Sequence, residues 1–156
     1  MNLIENALYT VSDCYFTDFK SEFMVDNKNE NRPFYYLFKD SQGVPWIIPL
    51  STQVEAYKKK IEKDTKKYGN CTFYHIGKIA GKERVFLIGN MLPVSEAYIK
   101  KPYTINKKHY IVGDLSLIKQ ISKKSKKYLS MVNYGTLKPH LDIIKIKNSL
   151  LGILKK

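Results

Sequence analysis

Through the first two-thirds of the chain, apolar residues fall in short runs broken by turn formers. Toward the end they recur at helical spacing. ALYTVS (7–12) reads as a short strand, and residues 13–32 as a polar, acidic loop with a helical turn. The aromatic PFYYLF (33–38) and PWIIPLS (45–51) flank the turn cluster KDSQG, so 33–51 is expected to be a β-hairpin. Pro45 and Pro49 have no N–H for a ladder, which points to a sheet edge or a bulge near Pro49. Residues 52–69 then switch to helical spacing, with Val54, Tyr57, Ile61 and Tyr68 apolar. Thr52 and Glu55 match a capping box, and Gly69 suits the helix end.

A second hairpin is expected from CTFYHIGKI (71–79), AGKE (80–83) and RVFLIG (84–89), with further short strands within 103–113. Residues 114–132 predict a helix with Leu115, Ile118, Ile121 and Leu129 on one side. A last amphipathic helix is expected over 139–156. Pro139 falls in its first turn, and Ile143, Ile144, Leu150, Leu151 and Leu154 form its stripe. The order lacks regular βαβ alternation. It therefore predicts an α+β fold, a twisted antiparallel sheet forming a partly open barrel with packed helices. At 156 residues, with no repeat and no long linker, the chain reads as a single domain, 1–156.

Charge adds a direction. The formal net charge is +13, and it is unevenly distributed. The first thirty residues hold only Lys20 and Lys28 against six acids, so the remainder carries 25 basic and 8 acidic side chains. Such a field captures polyanions, nucleic acid first among them. Only Arg32 and Arg84 are arginines, and lysine tracks phosphate better than it reads base edges. Cys14 and Cys71 lie far apart without metal-ligand spacing, and there are only three histidines, so no zinc site is expected. Both thiols read as reduced. With no leader segment and no apolar run near the ~20 residues of a membrane span, the expected location is cytoplasmic, without membrane association.

Nucleotide-binding glycine loops, HExxH and GxSxG are absent, and the acids after residue 30 are scattered among lysines. An enzyme acting on nucleic acid here is expected to use hydroxyls, phenols, cations or histidine, with no metal and no cofactor.

LYTVSDCYF, RPFYYLF about twenty residues on, and IIPLST at 47–52 occur in an order and spacing that resemble a known group. This is the family of ribonuclease toxins of type III toxin–antitoxin systems, the ToxN, AbiQ, CptN and TenpN group. FYHIGKI and FLIGNMLPVSEAYI resemble the CptN and TenpN branches in particular. The resemblance runs from about residue 7 to 100 and is looser through the C-terminal helices. It implies a Kid/MazF-like sheet and sequence-specific, metal-independent cleavage of RNA by 2′-OH attack, leaving 2′,3′-cyclic phosphate and 5′-OH ends. It also implies mRNA as substrate, inhibition by a small repeat RNA antitoxin that the toxin processes, and a closed assembly in which RNA bridges protomers. The alternative is a non-catalytic basic module that binds RNA or DNA.

The resemblance puts Tyr15 at an active-site tyrosine, Arg32 at a basic site position, and Ser51 and Thr52 on a hydroxyl pair. Where the family has a lysine shortly after that pair, this chain has Gln53 and Val54, and Lys58 is the nearest replacement, Lys59 the next. Each residue also has a plainer reading. Thr52 suits a helix cap, and a helix N-terminus is itself an anion site, so both roles can coexist. Lys58, Lys59 and Lys60 suit a solvated helix face, and Tyr15 suits the core. Arg32, extended before Pro33, suits a bidentate phosphate contact. His75 is either a structural mid-strand histidine or a general acid or base. Lys123, Lys124, Lys126 and Lys127, with the C-terminal lysines, are either a solvated face or contacts to an RNA backbone. Tyr35, Tyr36 and Phe73 suit the core by default and base stacking as the alternative.

Overall fold

Strand β3 (Pro45–Ser51) organises the molecule. Pro45 to Leu50 are all buried, so both faces and both edges of this strand are covered. In the computed structural model, which describes residues 2–154, one edge of β3 pairs with β2 (Phe34–Lys39). The other edge is shared. Trp46 and Ile47 pair with β6 (Leu92–Pro93), and Leu50 and Ser51 pair with β5 (Lys82–Phe86). Pro49 falls near the changeover, and its carbonyl accepts the Leu87 amide at 3.0 Å. The proline therefore marks a change of partner inside a central strand, and the edge expected from its missing N–H is not there.

β1 (Leu8–Val11), β4 (His75–Ile79) and β7 (Ile99–Pro102) complete an antiparallel sheet in the order β4-β5-β3-β2-β1-β7. Among the described residues β4 and β7 do not pair, so the sheet is open and the expected partial barrel is not formed. Closure needs a continuous staggered ladder. Here β3 divides one edge between two strands, and β6 contributes only two residues. A separate hairpin joins β8 (Thr104–Ile105) to β9 (Lys108–His109). Asn106 and Lys107 take φ of 52° and 65° there, the geometry a two-residue hairpin turn requires.

Among the described residues there are four α-helices: α1 (Asp13–Asp18), α2 (Val54–Tyr68), α3 (Leu115–Asn133) and α4 (Ile143–Leu154). α2 and α3 lie on opposite faces of the β4–β5 hairpin. Lys58 of α2 reaches Glu83, whereas a Cβ on Gly77 would meet Leu117 of α3 at 2.6 Å. Gly77 pairs with Arg84, so Glu83 is one position out of phase and points to the other face.

α3 buries Leu117, Ile121, Ser125, Tyr128 and Val132. Leu115, expected on the apolar side, is 79% exposed because the helix is rotated to set Leu117 over Gly77. α4 starts later than expected. Pro139 precedes it, Asp142 accepts the Lys145 amide at 3.0 Å, and Ile143, Ile146 and Leu150 are its buried positions. The side chain of Leu154, and Lys155 and Lys156, lie outside the described residues. α4 is tied to the sheet where Lys147 meets Asp40 at 2.8 Å, a carboxylate that also accepts the Trp46 indole N–H at 3.0 Å.

Candidate active site

Ser51 ends β3 and is half-buried, while Thr52 is exposed beyond it. The Ser51 hydroxyl accepts the Gln53 amide at 3.1 Å, and the Thr52 carbonyl accepts the Val54 amide at 2.9 Å. Gln53 is the N-cap and makes no side-chain cap bond. The expected Thr52–Glu55 capping box is therefore not formed, because Ser51 already closes the turn and Glu55 leans toward Lys58. The Thr52 hydroxyl is left facing solvent beside the positive end of a fifteen-residue helix.

Arg32 lies behind this junction. It is 8% exposed, its Nη1 donates to the Leu50 carbonyl at 2.6 Å, and its Nε donates to the Asp26 carbonyl at 2.5 Å. The guanidinium thus fixes the backbone immediately before Ser51. Burial lowers its pKa, and the Asp26 carboxylate and the Tyr57 phenol oppose that shift. Tyr57 is the first full turn of α2 and carries the site outward: its ring lies 4.8 Å from that of Tyr74.

Lys58 also lies on this side. Its ammonium is 3.5 Å from Glu55 and 3.4 Å from Glu83, and the Glu55 charge first, then Glu83, raises its pKa. Ser51 pairs with Val85, and Glu83 lies two residues along the same face of β5, about 7 Å of strand. Lys58 is therefore near the junction but held by carboxylates, and it must exchange them to meet a phosphate.

His75 lies elsewhere. It pairs with Phe86, which in turn pairs with Leu50, so it faces opposite to Ser51. The His75 Nδ1 sits 2.9 Å from Lys124 Nζ of α3. Burial first, and the Lys124 charge second, lower its pKa to about 4, so the ring is neutral and Nδ1 accepts from the ammonium. His75 and Ser51 cannot serve one phosphate from opposite faces of a sheet. Tyr15 is also apart. It is fully buried in an aromatic cluster with Phe16, Phe19 and Tyr98, and its hydroxyl donates to the Pro93 carbonyl at 2.6 Å. Burial pushes its phenol far up, and no solvent-borne phosphate reaches it in this arrangement.

The candidate RNA-contact lysines divide in the same way. Lys59 and Lys60 are exposed on α2, and Lys60 sits 4.7 Å from the Tyr57 ring centre. Lys123, Lys126 and Lys127 are exposed on α3, across the hairpin, while Lys124 turns inward to His75 and burial lowers its pKa. Glu83, Asp26 and Tyr74 carry no local sequence signal that places them here. Glu83 fell within an expected turn, and only the β4–β5 register brings it under Lys58. Among the described residues, no three of His, Cys, Asp and Glu gather closely enough to hold a metal ion, and no helix is long and apolar enough to cross a membrane.

No protein-family model matches the chain, and no curated protein matches it. Its fold does match solved structures. One is AbiQ, a lactococcal anti-phage endoribonuclease of a type III toxin–antitoxin system, with TM-score 0.63 and 18% identity over 96% of this chain and 98% of that one. A second, from work on a processed non-coding RNA that regulates a bacterial antiviral system, gives 0.61 and 16% over 91% and 95%. A third, from work on selective inhibition of a type III toxin by a non-coding RNA pseudoknot, gives 0.59 and 18% over 96% and 89%. The chain shares their fold along nearly its whole length.

Proposed function

We propose that this chain is a sequence-specific endoribonuclease toxin of a type III toxin–antitoxin system. In this reading the scissile phosphate sits at the β3–α2 junction. The single observation that carries the proposal is the exposed Thr52 hydroxyl beside Ser51 at a helix N-terminus, with the buried Arg32 bound to the preceding carbonyl. Support comes from the fold shared with AbiQ over 96% of the chain.

Ser51, Thr52 and the dipole of α2 would hold the non-bridging oxygens. The 2′-oxygen loses its proton and bonds to phosphorus. The P–O5′ bond breaks, and the leaving oxygen takes up a proton, giving a 2′,3′-cyclic phosphate and a 5′-OH. Water, metal and cofactor are not consumed. Arg32 is a positioning residue for the strand end, and Lys58, once released from Glu83, would neutralise charge on the pentavalent state. The antitoxin in this reading is a folded repeat RNA that the toxin also processes, in a closed assembly in the cytoplasm. FYHIGKI and FLIGNMLPVSEAYI favour the CptN and TenpN branches.

The test is incubation of purified protein with RNA in EDTA and analysis of the ends. The expected result is cleavage to 2′,3′-cyclic phosphate ends, slowed at least 100-fold by Ser51→Ala or Thr52→Ala, roughly the loss seen when one oxyanion donor is removed. Intact RNA across varied sequences overturns the proposal. The pairing of Lys58 to two carboxylates favours a second reading, a binding module without catalysis, which predicts RNA retention and no new ends.

A further inference from the structure

A cleft of about 280 Å³ opens between Phe23–Val25, the turn at residues 89–92 and the segment 137–141. Its walls are unlike a plain core defect. Phe73, Tyr74 and Tyr128 supply ring faces and edges, with Phe73 and Tyr128 edge-to-face at 6.1 Å. The Tyr128 hydroxyl is engaged by the Gly89 carbonyl at 3.1 Å, which holds that ring in place. Gly89 also keeps the turn close to Phe73, since a Cβ there would approach the Phe73 Cβ at 3.3 Å. Asn90 lines the same cleft. Its backbone amide donates to the Leu87 carbonyl at 2.9 Å, which holds the backbone of this lining residue in the turn. His140 stacks on Phe23 at the mouth, with ring centres 5.1 Å apart.

Phe73 and Tyr74 are shared with a second, shallower groove. That groove is bordered by Lys60, Lys63 and Lys67 of α2. From it the rings run back through Tyr74 and Tyr57 to the field of Arg32, behind Ser51. A row of cations therefore lies beside an aromatic wall, with the cleft behind that wall and the candidate site at one end. Lys138 adds a further cation at the cleft. Aromatic faces flanked by lysines suit a stacked base with its phosphates outside. A carboxamide among the lining residues, such as that of Asn90, can hydrogen-bond the edge of an unpaired base.

We propose that this cleft seats one unpaired nucleobase of a single-stranded RNA whose backbone crosses Lys60, Lys63 and Lys67. The inference rests on the ribonuclease reading for its ligand, but it fails separately from it. The test uses the Ser51→Ala protein and short unstructured oligomers of A, C and U at fixed salt. Leu141→Trp, which adds bulk at the cleft, is expected to weaken single-stranded RNA binding roughly tenfold, within the range for losing one stacked base. Asn90→Ala is expected to narrow the spread of affinities among the three oligomers. Thermal midpoints check that both variants fold, and if Leu141→Trp does not, Asn90→Ala decides.

Affinities and preferences within twofold of the parent in the folded variants overturn the cleft assignment. With Ser51 intact, cutting by the parent alongside unaltered binding by the variants removes the cleft and leaves the ribonuclease. Absent cutting with binding lost in Leu141→Trp does the reverse. A parent that binds no single-stranded RNA removes both.

Discussion

Arg32 looks in sequence like a residue that meets substrate, and in the structure it meets backbone. Its two bonds, to the carbonyls of Leu50 and Asp26, are made behind the strand end. Arg32→Met would leave both carbonyls short of a donor and is expected to cost about 1.5–3 kcal/mol in urea denaturation. Arg32→Lys should recover only part, because one ammonium cannot reproduce the fork. His75 gives a second outcome at this scale. Its folded pKa of about 4 lies below the ~6.5 of an unfolded histidine, so between those values the unfolded chain binds the extra proton. Stability is therefore expected to fall as pH drops from 7.5 to 5, by on the order of 2 kcal/mol from this group. Denaturation midpoints of His75→Gln at the two pH values should lack that increment.

Among the elements, the tightest fit is between β4 and α3. A methyl at Gly77 would lie 2.6 Å and 2.8 Å from the two ends of Leu117. Gly77→Ala is expected to destabilise by about 1–3 kcal/mol, and Leu117→Ala in the same chain should relieve part of it, read as a non-zero coupling in a double-mutant cycle. That contact explains what the sequence concealed. The helix over 115–133 was legible from its apolar content, but Leu115 and Leu117 are equally hydrophobic, and only the gap at Gly77 decides which turns inward. Both hairpins and the Gly69 stop were legible because turn residues and apolar runs are local signals. The partner change along β3, the open sheet and the opposition of His75 to Ser51 depend on register between distant strands, which no local pattern records. For the site, the Ser51–Thr52 junction was visible as a strand meeting a helix. Arg32 turning inward and Glu83 reaching Lys58 were not.

For the molecule as a whole, eleven lysines lie on two helices, six on α2 and five on α3, on opposite sides of a hairpin, so an RNA that uses both must pass around β4–β5. Changing Lys60, Lys63 and Lys67 together to Gln is expected to reduce the slope of log affinity against log salt by about 2 for single-stranded RNA, measured by titration at several ionic strengths. Changes at Lys123, Lys126 and Lys127 should alter that slope less for a short strand than for a long folded one. The burial of β3 right up to Ser51 has a genetic consequence. On the toxin function proposed above, in a selection for cells that survive expression of this chain, lesions at 45–50 would be recovered because the product no longer accumulates. Lesions at 51 and 52 would be recovered with the product abundant and silent. Immunoblots of the survivors would thus separate, at a single residue step, lesions of folding from lesions of the proposed site.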